Sequence, residues 1–451
     1  GLTLTARYGI NLDNTHYNNM GNAYMGQSAS YGGTVYQQQD RIHGFDQQYI
    51  ALYEFELNDE NKFDITVGYD GYTFESENVY AAGQNLYNPE NYYVSNAIDN
   101  KRGGGRKNTY ATQGYFGRLN YGLKDKYYAN LAFRRDASSR FHPDNRWGNF
   151  WAASGAWIIS KESFMADLSM VNMLKLKASY GQQGNDAIGN YYAYLDQYQV
   201  TGADGVFSDG TLVYKGNPDI TWETSTTYNV GIDFSLFNRL LSGSVEYFGR
   251  KSTDMLYYKP VQASMGYTEI PMNIGSMTNS GLEIDLLGRV VSTQRINVSI
   301  FANATMIKNK INELHPDLQG RLVDGSRVYE EGYSMYRMFL VDYAGVDPET
   351  GKALYWAQEE DADGNLSPIK TDNYVLALDH KVITEDLLPK VYGGFGLSAD
   401  AFGFDASIQF SYQLGGQIYD NGYARLMHGG TSSYGGNNWH TDIYNAWTPD
   451  N

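Results

Sequence analysis

The sequence predicts an all-β, antiparallel fold of the transmembrane-barrel type. Three observations carry the prediction. Apolar and polar residues alternate with period two in stretch after stretch, which is the signature of strands with one apolar face. The chain is too polar for membrane helices, with a mean hydropathy of −0.50. Its longest apolar runs reach about five residues, whereas a helical span needs about 20. The connections between strands also alternate between short and long, as a membrane barrel requires.

Thirteen strand-like stretches follow one another. They lie near 2–10, 46–57, 62–75, 109–123, 126–140, 147–160, 172–184, 222–236, 240–257, 277–291, 295–308, 388–400 and 404–414. The first begins at once, in Gly1-Leu2-Thr3-Leu4-Thr5-Ala6-Arg7-Tyr8, so no signal peptide is visible. In the third, Phe63, Ile65, Val67 and Tyr69 oppose Asp64, Thr66, Gly68 and Asp70. The fourth and fifth make a hairpin about Lys124-Asp125-Lys126. Tyr115, Leu119, Tyr121, Leu131 and Phe133 take one face; Arg118, Asn120, Arg134 and Asp136 take the other. The seventh sets Leu174, Leu176, Ala178 and Tyr180 against Lys175, Lys177, Ser179 and Gly181. The eighth sets Tyr228, Val230, Ile232 and Phe234 against Asn229, Gly231, Asp233 and Ser235. The eleventh sets Ile296, Val298, Ile300, Ala302 and Ala304 against Asn297, Ser299, Asn303 and Thr305.

Short connections fall at Asn58-Asp59-Glu60-Asn61, Lys124-Asp125, Asn238-Arg239, Ser292-Thr293-Gln294 and near Gly403. Long ones span 11–45, 76–108, 185–221, 258–276 and 309–387. Residues 141–146 are a short member of the long class. Residues 161–171 are a long member of the short class, and Lys161–Leu168 is a candidate small helix. Loop 309–387 is long enough for hairpins of its own, with Asp347-Pro348-Glu349-Thr350-Gly351 leading into Ala353-Leu354-Tyr355-Trp356. A sandwich has no reason to sort loop length by strand parity, so the sorting favours a membrane barrel over a soluble all-β fold.

Composition removes several function classes. The 451 residues carry 51 Asp plus Glu against 34 Lys plus Arg, a net charge of −17. Phosphate binding needs a basic face, so a nucleic-acid partner is disfavoured. The absence of Cys rules out disulfides and thiolate metal sites. The 41 Tyr, 19 Phe and 7 Trp suit membrane interfaces and carbohydrate surfaces alike.

No catalytic motif is found. The seven His show no metal-helix spacing, and no Gly-x-Ser-x-Gly elbow or phosphate loop is present. Gly103-Gly104-Gly105-Arg106 reads as a flexible loop rather than an anion cradle. Asp361-Ala362-Asp363-Gly364-Asn365 has its Gly too early for a calcium loop and reads as a turn. Paired acids for glycoside hydrolysis stay open, because 51 carboxylates guarantee some proximity. Arg134, Arg135, Asp136 and Arg140 lie near the loop end of a strand, as a solute-guiding patch or as charges satisfied by neighbouring strands. Trp147, Trp151 and Trp157 share one strand parity, which favours a lipid-interface girdle over sugar stacking. No cofactor or metal is expected.

Several blocks together resemble the SusC/RagA-like branch of TonB-dependent outer-membrane transporters. They include Phe133-Arg134-Arg135-Asp136, Ser138-Ser139-Arg140-Phe141, Asn145-Arg146-Trp147-Gly148 and Leu174-Lys175-Leu176-Lys177-Ala178-Ser179-Tyr180-Gly181. Asn217-Pro218-Asp219, Trp222-Glu223-Thr224-Ser225, Asn273-Ile274-Gly275-Ser276-Met277, Tyr343–Gly351 and Tyr392-Gly393-Gly394-Phe395-Gly396 follow in family order. The resemblance implies a 22-stranded barrel, a plug domain, a SusD-like surface lipoprotein and uptake of oligosaccharide or peptide driven by the TonB complex. Residues 1–451 then read as a partial barrel domain without a plug, strands 7 to 19 of the family barrel. Two bare sheet edges in lipid would cost tens of kcal/mol, so the remainder of the barrel is expected as a partner. Expected ligand contacts are Tyr191, Tyr192, Tyr434 and Trp439 on loops, with Arg134 and Asp136 on the inner wall. The rival readings are a secreted all-β glycan hydrolase and a surface adhesin or structural barrel.

Overall fold

The computed structural model describes residues 1–203, 206–360, 364–428 and 438–449. Thirteen strands form one large sheet in which chain neighbours are sheet neighbours throughout. They are β1 (Leu2–Gly21), β2 (Thr34–Asn58), β3 (Asn61–Leu86), β4 (Ala97–Leu123), β5 (Tyr127–Ser138), β6 (Trp147–Ile158) and β7 (Val171–Asn185). Then follow β8 (Glu223–Leu236), β9 (Leu241–Thr253), β10 (Ser276–Ser292), β11 (Ile296–Glu313), β12 (Val391–Ala401) and β13 (Phe404–Leu414).

The loop-length parity holds. One end of the strands carries tight turns. Lys124 and Asp125 both take positive φ, 55° and 50°, the backbone twist that joins right-twisted strands in two residues. Phe402 and Gly403 repeat it at 54° and 87°. At the β2–β3 turn, the Asn58 side chain accepts from the Glu60 and Asn61 amides, both at 3.0 Å. The other end carries the long connections, several with small sheets of their own. Gln197–Ala203 pairs with Val206–Tyr214, Leu256–Pro260 with Glu269–Asn273, and Tyr343–Val346 with Ala353–Glu360.

Four expectations need correction. Residues 11–45 and 76–108 are not loops: β1 runs on to Gly21, β2 starts at Thr34, β3 runs to Leu86 and β4 starts at Ala97. Half-apolar alternation stops where lipid stops, but backbone pairing does not. Gly103-Gly104-Gly105-Arg106 therefore lies inside β4, paired with Ala81, Tyr80, Val79 and Asn78. Residues 240–257 divide, because β9 ends at Thr253 and Leu256 opens a separate hairpin. The small helix expected at 161–168 is two single 3₁₀ turns, Ile159–Lys161 and Ser163–Met165.

The chain divides into two compact units. The first holds Gly1–Ser169, Met173–Val230 and Ser252–Ile274; the second holds Met170–Asn172, Gly231–Lys251 and Gly275–Asn451.

In the first unit, the apolar sheet face has no protein against it. Leu4 is 73% exposed, Ile10 72% and Leu131 56%. Two rows of aromatic rings bracket this face. Toward the tight turns, Phe55, Phe63 and Tyr121 stack at 5.0 and 4.7 Å, and Tyr127 stacks on Trp157 at 6.2 Å. Toward the long loops, Tyr8, Tyr49, Tyr69, Tyr115 and Trp147 follow one another at 5.9, 6.2, 5.2 and 6.3 Å. On β3 the rows are six residues apart, ~20 Å of strand. Ile65, Val67, Leu119 and Phe133 lie between them. Trp151, stacked on Tyr180 at 5.0 Å, belongs to the same face. Past the second row the face turns ionic, with Lys107 bound to Glu75 at 2.7 Å.

The buried apolar cores of this unit lie at the long-loop end instead, in the loops and the strand ends that enter them. Phe141, Ile188, Ala193 and Ile220 form one, packed by Trp222 and Tyr258. Val35, Leu86 and Ala97 form another. A soluble sandwich would bury its sheet face and expose its loops. An apolar band framed by aromatic rows, with its core at the long-loop end, is a surface built for lipid.

In the second unit the same alternation recurs. Phe395 and Phe410 stack at 5.3 Å on an exposed face with Ile300 and Ile408.

Candidate ligand-facing surface

The opposite, polar face of the sheet carries the chemistry. Period two puts Asp70 of β3, Gly114 of β4 and Asp136 of β5 side by side, because Asp70 pairs with Gly114 and Gly114 with Asp136. Arg134, two residues before Asp136, lies on the same face. Its Nε donates to both oxygens of Asp136 at 2.7 Å, and its two terminal nitrogens donate to Asp70 at 3.0 and 2.8 Å. The guanidinium is also 5.6 Å from the Phe116 ring centre. The expected pair Arg134 and Asp136 is thus a triad completed by Asp70, with a formal charge of −1. Gly114 gives it room: a Cβ there would lie 2.6 Å from Arg134 Nη2 and 2.8 Å from Asp70 Oδ1. A recess of about 490 Å³ opens beside the triad, lined by Arg118, Phe150, Gln183 and Gly184 among others.

Closer to the long loops, the same face holds a second node. Asp186, just past β7, accepts from Tyr110 Oη at 2.7 Å and Ser138 Oγ at 2.5 Å. Arg140 donates to the Asp186 carbonyl at 3.0 Å and faces its carboxylate at 3.6 Å; both side chains are 15% exposed. The guanidinium lies 4.5 Å from the Tyr110 ring and 5.2 Å from the Tyr191 ring. Burial, and then the Asp186 carboxylate, push the Tyr110 phenol well above its ordinary value.

The loop tyrosines serve this node. Tyr191 packs on Phe74 and Tyr110 at 5.9 and 6.0 Å. The Tyr192 hydroxyl accepts from the Thr109 amide at 2.9 Å. Both rings therefore fasten loop 186–222 to the wall. Trp439 belongs to the second unit and is 55% exposed, its indole N–H donating to the His428 carbonyl at 2.9 Å. Tyr434 and the acidic stretch 361–363 lie outside the described residues. Asp70, Tyr110 and Asp186 were not among the expected site residues. Asp70 was visible as a polar position in an alternating strand, but nothing in its neighbours named its partner, 64 residues away.

Lipid-facing strands with a tight-turn end, a long-loop end and an ionic inner face define a β-barrel of the outer membrane. The family model described as TonB dependent receptor-like, beta-barrel matches residues 1–377, and the chain belongs to this family. It is of the SusC/RagA type. It is 30% identical over 351 residues to TonB-dependent receptor P39 of Formosa agariphila, covering 69% of this chain and 33% of that protein. It is 30% identical over 316 residues to TonB-dependent receptor SusC of Bacteroides thetaiotaomicron, covering 68% of this chain and 28% of that protein. Its fold superposes on the solved RagAB peptide transporter with a TM-score of 0.84 at 27% identity, covering 100% of this chain and 50% of that one. The chain thus spans about a third of the curated relatives it matches.

Proposed function

We propose that this chain is wall and mouth of an importer that admits a polar nutrient, an oligosaccharide or a peptide, without breaking a bond in it. The carrying observation is the continuous polar face. It runs from the Asp70–Arg134–Asp136 triad to the Arg140–Asp186 node, beneath a loop with a packed core of its own. Such a surface offers hydrogen bonds along a path rather than one reacting centre. The relatives' names, a SusC receptor and a RagAB peptide transporter, support the same reading. In it, a SusD-like lipoprotein covers the mouth, and the TonB complex supplies energy through a plug.

We further propose that residues 1–451 share a barrel with additional strands, since β1 and β13 are the edges of the sheet and bare edges in lipid are costly. The test is uptake of labelled oligosaccharide and peptide pools by cells with and without the gene, with and without a functional TonB complex. Gene- and TonB-dependent loss of uptake of one pool supports the reading. Unchanged uptake of both pools, or a purified protein that hydrolyses glycan, defeats it.

A further inference from the structure

The continuation of β1 to β4 past the membrane band places a group on the polar face that the triad and the loop node do not use. Tyr17 of β1, Tyr36 of β2 and Tyr80 of β3 form a row. Tyr36 and Tyr80 stack at 5.8 Å with planes 19° apart, and Tyr17 meets Tyr36 edge-on at 6.1 Å. Tyr80 stands opposite Gly104 of β4, where a Cβ would lie 2.9 Å from its ring. The glycine stretch therefore leaves the ring room to lie across the strand.

Tyr36 is held by a chain of polar contacts, and Tyr17 and Tyr80 by their rings against it. The Tyr36 hydroxyl donates to Gln38 Oε1. Gln38 Nε2 donates to the two Asp40 oxygens at 3.0 and 2.7 Å, and Asn78 Nδ2 donates to Asp40 at 2.5 Å. Asp40 pairs in register with Asn78 and Asn78 with Arg106, so the Asp40 charge has a cation two strands away on the same face. Beside Tyr36 opens a recess of about 590 Å³ whose lining includes Asn19, Gln84, Asn100 and Arg102. Asn100 donates to Gln84 at 2.6 Å across it.

We propose that this row is a binding subsite for an oligosaccharide. The inference rests on the importer reading above and names its substrate class. A pyranose ring has an apolar C–H face and a rim of hydroxyls. Fixed aromatic rings flanked by amides match both parts at little cost in ordering, because the contacts already hold the rings. Each primary amide offers two N–H donors and a carbonyl acceptor, the pattern that vicinal hydroxyls use. An extended peptide would instead seek a free strand edge, and β2 and β3 are paired on both sides here. Asp40 and Arg106 offset one another beside the rings, while Lys101 and Arg102 add positive charge to the wall of the recess.

The test uses the full-length protein purified in detergent. Calorimetric titration is run against defined oligosaccharides of four to eight units and against peptides of the same lengths. Variants are Tyr36→Ala, Tyr36→Phe and Gly104→Val, each checked for heat-modifiable gel mobility. The expected result is that at least one oligosaccharide binds, that Tyr36→Ala and Gly104→Val weaken it about tenfold or more, and that Tyr36→Phe weakens it far less. Oligosaccharide binding unchanged in Tyr36→Ala overturns the subsite. Binding of peptides alone overturns the subsite and leaves the importer standing. No binding of either class, with no uptake of either pool by cells, overturns both.

Discussion

Asp186 shows how one side chain sets the geometry of a whole loop. Three groups on two segments, Tyr110 of β4 and Ser138 and Arg140 at the end of β5, converge on it. Asp186→Ala leaves the Tyr110 and Ser138 hydroxyls without their acceptor, at about 1–3 kcal/mol for each group left unsatisfied, and takes the facing carboxylate from Arg140. The expected outcome is faster proteolytic cleavage within 186–222 while the strands stay resistant; equal cleavage rates would refute the role. At the tight-turn end, Glu162 accepts from Tyr127 Oη at 2.6 Å and Trp157 Nε1 at 3.1 Å, and Lys126 lies at 3.3 Å. Those donors, Tyr127 foremost, hold its carboxyl below the ordinary value of 4.5. A lowered folded-state pKa means that the clamp contributes fully above the unfolded value and is lost as pH falls through the folded one. The protection of amides across 159–165 against hydrogen exchange, corrected for the intrinsic rate, should therefore be full at pH 6 and fall once the pH drops below the ordinary carboxylate value. Glu162→Gln should remove that pH step.

Strands here are longer than their lipid-facing stretches, and this limits what a sequence reading sees. Alternation such as Leu2, Leu4, Tyr8 and Ile10 marks the lipid-facing band well. Above it, both faces meet water, and residues such as Asn14, Gln38 and Asn78 look like loop although they remain paired. A second element-level device is glycine beneath an aromatic ring. Phe116 covers Gly68, Phe150 covers Gly148 and Gly184, and Phe248 covers Gly281. Without a side chain the strand would leave a hole, and the neighbouring ring fills it. At Gly281 a Cβ would lie 2.6 Å from Phe248 and closer still to the Met306 carbonyl. Gly281→Val should thus cost about 1–3 kcal/mol by overpacking. Urea unfolding of the detergent-solubilised protein would show it as a lower midpoint, with Gly281→Ala intermediate.

For the whole molecule, the membrane reading predicts heat-modifiable migration of the full-length protein on SDS gels and extraction only with detergent. A sample that is soluble without detergent would contradict the lipid-facing band. The same reading predicts that Leu131→Lys, in the middle of that band, destabilises the fold by about 2–4 kcal/mol. Arg118→Gln on the opposite face should leave the unfolding midpoint within the range of ordinary polar substitutions.

The sequence by itself determined the strand count of the large sheet, the sorting of loops by length and, within the lipid-facing stretches, the assignment of residues to one face or the other. Those features repeat locally, every two residues or every strand, so they survive without knowledge of partners. It also marked Arg134 and Asp136 as inner-wall charges. Only the tertiary structure decided that Arg134 is shared with Asp70, that Tyr191 and Tyr192 fasten a loop to β3 and β4, and that Tyr17, Tyr36 and Tyr80 form a row. Each of these depends on strand register, and register joins residues tens of positions apart through backbone pairing that no local pattern records.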